Sequence, residues 1–313
     1  MAKPPRPPRE IKRSTDLADA SVVSRPLLRR RDPRQAELFT TSFIEPCKPT
    51  LRSKAPVGDR WQFEIKHDGY RAQCHVNGGR VRIFTKSGFD YAPRMPAIAQ
   101  ALQSLRVDDA VIDGEACMEG ADGITDFFAL HAALAKKHAP HAFLYAFDLL
   151  HLNGDDLRAL PLDERRLLLE DLLRNATKSI RFSEAFEDDG PTIARMVCQM
   201  GLEGIIAKRR DAAYRCGRSE TWLKIKCTQF GTFTVTGFDP DGRTGVRSLN
   251  LAERQGPKMV ACGSVGSGLT AVTSRDLRRR LDAGESVTVE VEYRGRTPSG
   301  GLRHAALKGI PEH

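Results

Sequence analysis

The 313-residue chain is 40% apolar, enough for packed cores, and contains no apolar run of membrane-spanning length and no signal-peptide core. Its 49 Lys and Arg outweigh 40 Asp and Glu for a net charge of +9, which points to a polyanionic partner, nucleic acid ahead of membrane because no basic amphipathic helix stands out. Seven cysteines are scattered without a CxxC pair, which argues against a zinc knuckle or a disulfide framework.

Residues 1–35 open with Pro4, Pro5, Pro7 and Pro8 and carry ten Lys and Arg against four acids. Such a composition buries too little apolar surface to offset its ordering entropy, so a disordered basic tail is expected. Order begins near Phe39. Trp61–Lys66 alternates as a strand does, and Tyr70–Val76 and Arg80–Thr85 flank an Asn77-Gly78 turn, the signature of a hairpin. Helical periodicity follows at 94–105, then buried strands at 110–113 and 142–147. An amphipathic helix is predicted at 161–174, with Leu167, Leu168 and Leu172 on one side, and short strands at 205–207 and 222–226. Beyond Gln229 the texture changes to Thr- and Val-rich strands between Gly-rich turns, with one helix near 270–282. These features predict an α+β protein with one domain over 36–228 and a small OB-type β-barrel over 229–313.

Five short motifs fall in order along the first domain. Lys66-His67-Asp68-Gly69 closes a strand, Asp113-Gly114-Glu115 ends another, and Tyr145-Ala146-Phe147-Asp148 a third. Glu203-Gly204-Ile205-Ile206-Ala207-Lys208 and Trp222-Leu223-Lys224-Ile225-Lys226 complete the series. A lone KxDG is weak evidence, but five motifs in register over 39–228 resemble the covalent nucleotidyltransferases: DNA ligases, RNA ligases and mRNA capping enzymes. Residues 64–71 and 147–154, with Leu302-Arg303-His304 and Lys308-Gly309-Ile310, look like the ligase domain of bacterial end-joining ligases of the D and C types. The NAD-dependent ligases add a zinc-binding cysteine cluster and a helical domain not visible here, which points to ATP. The resemblance implies a nucleotidyltransferase fold, with ATP-grasp-like antiparallel sheets and helices, ahead of the OB barrel.

It also implies an ATP-dependent DNA ligase that carries AMP on Lys66. A lysine ammonium has a reference pKa of ~10.4, so presenting a neutral amine at pH 7 costs roughly 4–5 kcal/mol. Lys224 and Lys226 are the cations that would disfavour the ammonium and later neutralise the α-phosphate. By the same resemblance Glu64 contacts the adenine amino group, Phe147 and Ile206 sandwich the base, and Arg71 and Glu115 hold the ribose. Glu203 and Glu115 organise Mg²⁺ or Mn²⁺, and Arg303 and Lys308 orient the β- and γ-phosphates. Lys86 stands where many ligases place an arginine that meets the 5′-phosphate of a nick; it keeps the charge and loses the bidentate fork.

The implied partners are nicked or broken duplex DNA and a Ku-like end-binding protein, with a monomeric enzyme in the bacterial cytoplasm. Two other readings stay open at this level. A capping-type guanylyltransferase or an RNA ligase shares the lysine chemistry, and a ligase fold that only binds nucleic acid would keep the basic charge without catalysis.

Overall fold

The computed structural model describes residues 42–311 apart from 121–122, 187 and 298, so the basic segment 1–35 lies outside the described residues. The chain divides into two compact units, the first ending at Ile225 and the second starting at Lys226. In the first, the strands and helices run β1 (Cys47–Leu51), β2 (Trp61–Ile65), β3 (Tyr70–Asn77), β4 (Arg80–Thr85), α1 (Pro96–Gln103), β5 (Asp109–Cys117), α2 (Phe127–Ala135), β6 (Phe143–Leu152) and β7 (Asp155–Asp156). They continue with α3 (Leu162–Leu173), β8 (Ile180–Phe182), β9 (Ala185–Phe186), α4 (Gly190–Gln199), β10 (Gly204–Arg209) and β11 (Gly217–Lys226).

These strands form two sheets, ordered β1-β11-β10-β2-β9 and β4-β3-β5-β6-β7, with β8 added alongside β6. β2 pairs antiparallel with β10 and β9, β3 with β4 and β5, and β6 with β5 and β7, while β1 with β11 and β8 with β6 are parallel. The pleat sorts residues by face. On one face of the second sheet Ala72, Cys74, Val76, Ile83, Ile112 and Leu144 pack with Ile98 and Leu102 of α1 and Leu168 and Leu169 of α3. The intervening positions Arg71, Gln73, Asp113 and Glu115 therefore project to the opposite face, where Arg71 registers with Glu115 and Gln73 with Asp113. Two motif glycines are there for space. A Cβ on Gly69 would stand 2.2 Å from the Ala116 carbonyl oxygen, and one on Gly114 would stand 2.7 Å from that of Tyr145.

Helix α3 lies where the periodicity predicts, but its buried stripe differs. The inward residues are Leu162, Arg165, Arg166, Leu168, Leu169 and Leu173, while Leu167 and Leu172 are only half-buried. Two arginines can join an apolar stripe because each finds a carboxylate. Arg165 Nε and Nη2 donate to the two Asp148 oxygens at 2.7 and 2.9 Å, and its Nη1 donates to the carbonyls of Leu160 and Ala212. Both side chains of that pair are fully buried. Arg165→Ala is accordingly expected to lower stability by about 3–5 kcal/mol in urea denaturation, the cost of stranding a buried carboxylate. A loss below ~1 kcal/mol would mean that water reaches Asp148 in the variant.

The second unit contains β12 (Gln229–Asp241), β13 (Gly245–Gln255), β14 (Lys258–Val265), α5 (Ala271–Asp282), β15 (Thr288–Tyr293) and β16 (Ala306–Gly309). Its core gathers Phe233, Val235, Leu249, Leu251, Val289 and Val291 with Leu277 of α5. Thr270 caps α5, its hydroxyl accepting from the Thr273 amide at 3.1 Å. The OB-fold barrel predicted for 229–313 is not what forms. The strands make one linear sheet, β14-β13-β12-β15-β16, and among the described residues no sheet closes into a barrel. Closure needs a ladder between the two end strands. Instead β14 ends at Val265 and the chain leaves through Gly266 and Gly268, while β16 is four residues long and meets that exit in a single bridge between Ser267 and Ala306.

Candidate active site

Lys66 lies one residue past β2, where its backbone N–H donates to the Gly204 carbonyl at 2.8 Å. Its Nζ donates to Glu203 Oε2 at 2.5 Å. The register of β2 with β10 sets Glu64 opposite Ile206 and Gln62 opposite Lys208, so these four side chains share a face. Trp222 and Lys224 come from β11, Glu115 from β5, Arg71 from β3 and Phe147 from β6. Glu64, Lys66, Arg71, Lys86, Glu115, Phe147, Ile206 and Lys224 all line one cleft. Glu203 enters the group through its bond to Lys66. Lys226, two residues beyond Lys224, is not among the lining residues. Arg303 and Lys308 belong to the second unit, where Lys308 Nζ pairs with Glu292 at 2.6 Å.

One end of the cleft is aromatic and ringed by cations. Phe147 and Trp222 are buried and meet edge to face at 5.9 Å. Lys208 Nζ lies 4.3 Å from the Phe147 centroid and 4.2 Å from that of Trp222, and Arg71 Cζ lies 4.5 Å from Phe147. Arg71 is fixed by two bonds to Asp113, at 2.7 and 2.6 Å, and the Tyr214 hydroxyl donates to the same carboxylate at 2.7 Å. Burial by itself would lower the Arg71 pKa; the Asp113 carboxylate more than offsets this and holds it above the usual arginine range.

Glu64 is 2% exposed and nearly saturated with donors. Its Oε1 accepts from Arg166 Nη1 at 3.0 Å and from Lys208 Nζ at 2.7 Å, and its Oε2 accepts from the Ser183 hydroxyl at 3.0 Å. Burial pulls the Lys208 ammonium down to about 8, with Glu64 opposing and Arg166 adding to the fall. Burial pushes the Glu115 carboxyl up to about 7, with Arg71 and Lys66 opposing and Glu203 adding to the rise. His67 stacks on Tyr145 at 3.6 Å, and burial lowers it to about 4, so beside Lys66 it stands as a neutral ring.

Sequence reasoning assigned no role to Lys208, Trp222, Arg166, Asp113 or Tyr214. Lys208 was findable, because it follows Ile206 by two residues and shares its face. Arg166 and Tyr214 carry no such signal, since a polar residue on a helix or in a loop ordinarily faces water. The arrangement sets a lysine amine against a carboxylate at the mouth of a cleft whose floor suits a planar base and whose walls carry positive charge. That suits nucleophilic attack on a nucleotide phosphate.

The family model for the ATP-dependent DNA ligase domain matches residues 46–226, more than half of the chain. The chain is 32% identical to the multifunctional non-homologous end joining protein LigD of Pseudomonas aeruginosa, covering 94% of this chain and 38% of that protein. It therefore spans well under half the length of that relative. Among solved structures, the ligase domain of Mycobacterium tuberculosis LigD is 28% identical with a TM-score of 0.54, covering 86% of this chain and 95% of that one. Mycobacterial DNA ligase D complexed with ATP gives 28% identity and a TM-score of 0.55 over the same shares. With its motif lysine, carboxylates and base cleft inside the matched segment, the chain belongs to the ATP-dependent DNA ligase family.

Proposed function

We propose that this chain is an ATP-dependent DNA ligase acting in end joining. The observation that carries the proposal is the convergence of Lys66, Glu203, Glu115 and Lys224 beside the Phe147–Trp222 floor of one cleft. The Lys66 amine attacks the α-phosphorus of ATP, forming a P–N bond as the bond to pyrophosphate breaks. AMP then passes to the 5′-phosphate of a DNA break, and the 3′-hydroxyl displaces AMP to close the strand.

Each residue type suits its assigned part. Phe147 and Ile206 take the adenine, and Glu64 retains acceptor capacity on Oε2 for its amino group. Arg71 and Glu115 take the ribose. Lys224, with Lys226, neutralises the α-phosphate as charge builds. Arg303 and Lys308 orient the departing pyrophosphate, Lys308 exchanging Glu292 for phosphate, and Lys86 meets the 5′-phosphate of the DNA.

A divalent metal fits Glu115 and Glu203. No group of three or more metal-ligating side chains occurs among the described residues. Magnesium is commonly held by one or two carboxylates together with substrate phosphates, so a pair suffices. Two neighbouring carboxylates, one of them raised by burial, are also the donor set that a cation relieves. When bound, the metal supplies positive charge to the phosphate oxygens.

No described helix is long and apolar enough to cross a membrane. The reading includes a monomer at work on DNA in the bacterial cytoplasm, with a Ku-like protein bringing ends together. The test is to incubate the protein with α-labelled ATP, GTP or NAD. Label from ATP alone, stable to alkali and labile to acid as a P–N bond is, and then discharged on adding nicked duplex, is the expected result. Label from GTP would favour a capping-type guanylyltransferase, and no label from any of the three would leave a nucleic-acid-binding protein without catalysis.

A further inference from the structure

The positive surface continues beyond the cleft. Along β4 alternate side chains share a face, so Arg80, Arg82 and Phe84 point the same way, and Lys86 follows in the turn that the Gly88 amide closes on the Thr85 carbonyl. Lys86 lines the cleft of Lys66, whereas Arg80 and Arg82 line a separate depression with His75 and Asn77. β4 is the last strand of its sheet, and residues 89–91 are bonded along its outer edge from Ile83 to Thr85.

Three observations set the row apart from an ordinary solvated face. Arg82 is held in line, its guanidinium 4.5 Å from the Phe84 centroid and its Nε donating to Asp90 Oδ2 at 3.1 Å. Asp90 is itself fixed by the amides of Ile83 and Ala92, which donate to it at 3.1 and 3.0 Å. Arg80 is exposed and enters no ion pair among the described residues. Third, His75 is 1% exposed, yet its Nδ1 has no protein partner.

The tautomer of His75 follows from its neighbours. Gln73 is fixed by both of its bonds to Ile44, so its Oε1 faces His75 Nε2 as an acceptor at 2.9 Å. Nε2 therefore carries the hydrogen, and Nδ1 is left as a buried acceptor. Burial, reinforced by Arg82, lowers the ring to about 4 and keeps it neutral.

We propose that Lys86, Arg82 and Arg80 form a track for the phosphodiester backbone of one DNA strand leading away from the joining site. Alternate residues of a strand are about 6.6 Å apart, so Arg80 and Arg82 are spaced comparably with successive phosphates. Contacts of this kind position the duplex without reading its sequence. The proposal rests on the DNA-joining reading above.

The test uses the full chain and a nicked duplex, with binding followed by fluorescence anisotropy over a range of salt concentrations. Each phosphate contact contributes about 0.9 to the slope of log affinity against log salt. Arg80→Glu is expected to flatten that slope by about one and weaken binding roughly tenfold at low salt, while AMP transfer to Lys66 proceeds at the wild-type rate. Arg82→Lys should keep the slope. Arg80 has no ion-pair partner to lose, so its variant is expected to fold like the wild type, which a melting curve checks. A wild-type slope in Arg80→Glu overturns the track, whatever the variant does with partner proteins, and so does a loss of self-adenylation. Failure of the ligase reading shows separately, in a wild-type chain that takes no AMP from ATP.

Discussion

Lys66→Ala is expected to take no label from α-labelled ATP, with a fall of several orders of magnitude to below detection, while keeping a melting temperature close to that of the wild type. The activity is lost because covalent catalysis requires a nucleophile at one place. Lys66 is the residue whose amide is pinned to Gly204 and whose Nζ sits against Glu203 at the mouth of the cleft. Lys208, also in the cleft, is buried and committed to Glu64, and cannot replace it. The fold survives because the Lys66–Glu203 pair is partly open to water, so its loss strands no fully buried charge. Lys66→Arg should be equally inactive, since a guanidinium stays protonated and offers no free amine. Both variants should still seal a nick whose 5′ end already carries AMP, because that step needs only the 3′-hydroxyl. Label appearing on Lys66→Ala would move the nucleophile elsewhere.

Glu203→Ala should slow self-adenylation by roughly a hundredfold to a thousandfold, the scale on which one preorganised electrostatic group is felt in a water-excluded site. Its carboxylate does two things in the proposed mechanism: it orients Lys66 at 2.5 Å and shares a divalent ion with Glu115. Glu203→Gln separates them. The amide oxygen still accepts from Lys66 but brings no charge for a metal, so this variant should orient the lysine and yet require more Mg²⁺ to reach half its maximal rate. If Glu203→Gln matches the wild type in both rate and Mg²⁺ response, the side chain serves only to orient the lysine and the metal is held by other groups.

The residues legible in the sequence are those whose signal is local. Lys66, Glu115, Phe147, Ile206 and Lys224, which the motif series named through the family resemblance, all line the cleft, because each motif is a short run of a strand whose pleat turns these side chains to one face. The hairpin of β3 and β4 was equally legible, since Asn77-Gly78 and the flanking period of two describe it without reference to the rest of the chain. The cluster around Glu64 was not. Nothing within a few residues of Glu64 indicates that Arg166, 102 positions away, and Lys208 will both meet its carboxylate. In α3 the apolar spacing suggested one inward face, whereas the buried stripe includes Arg165 and Arg166, each paired with a buried carboxylate, and leaves Leu167 and Leu172 half-buried.

The second unit divides along the same line. Thr- and Val-rich alternation between Gly-rich turns, with one helical stretch near 270–282, indicated strands and one helix over residues 229–313, because propensity and alternation act over a few residues. Whether those strands close is a question about the two ends of the sheet, β14 and β16, separated by α5 and β15 in sequence. Barrel closure depends on strand length, tilt and stagger acting together across the whole sheet, and no local pattern encodes that sum. The order of the motifs and the family are readable from the sequence alone, and the same motifs put Lys66 forward as the nucleophile. Only the tertiary structure decided the open second sheet, the donors that hold Glu64 and the row of cations along β4, because each depends on groups that only folding brings together.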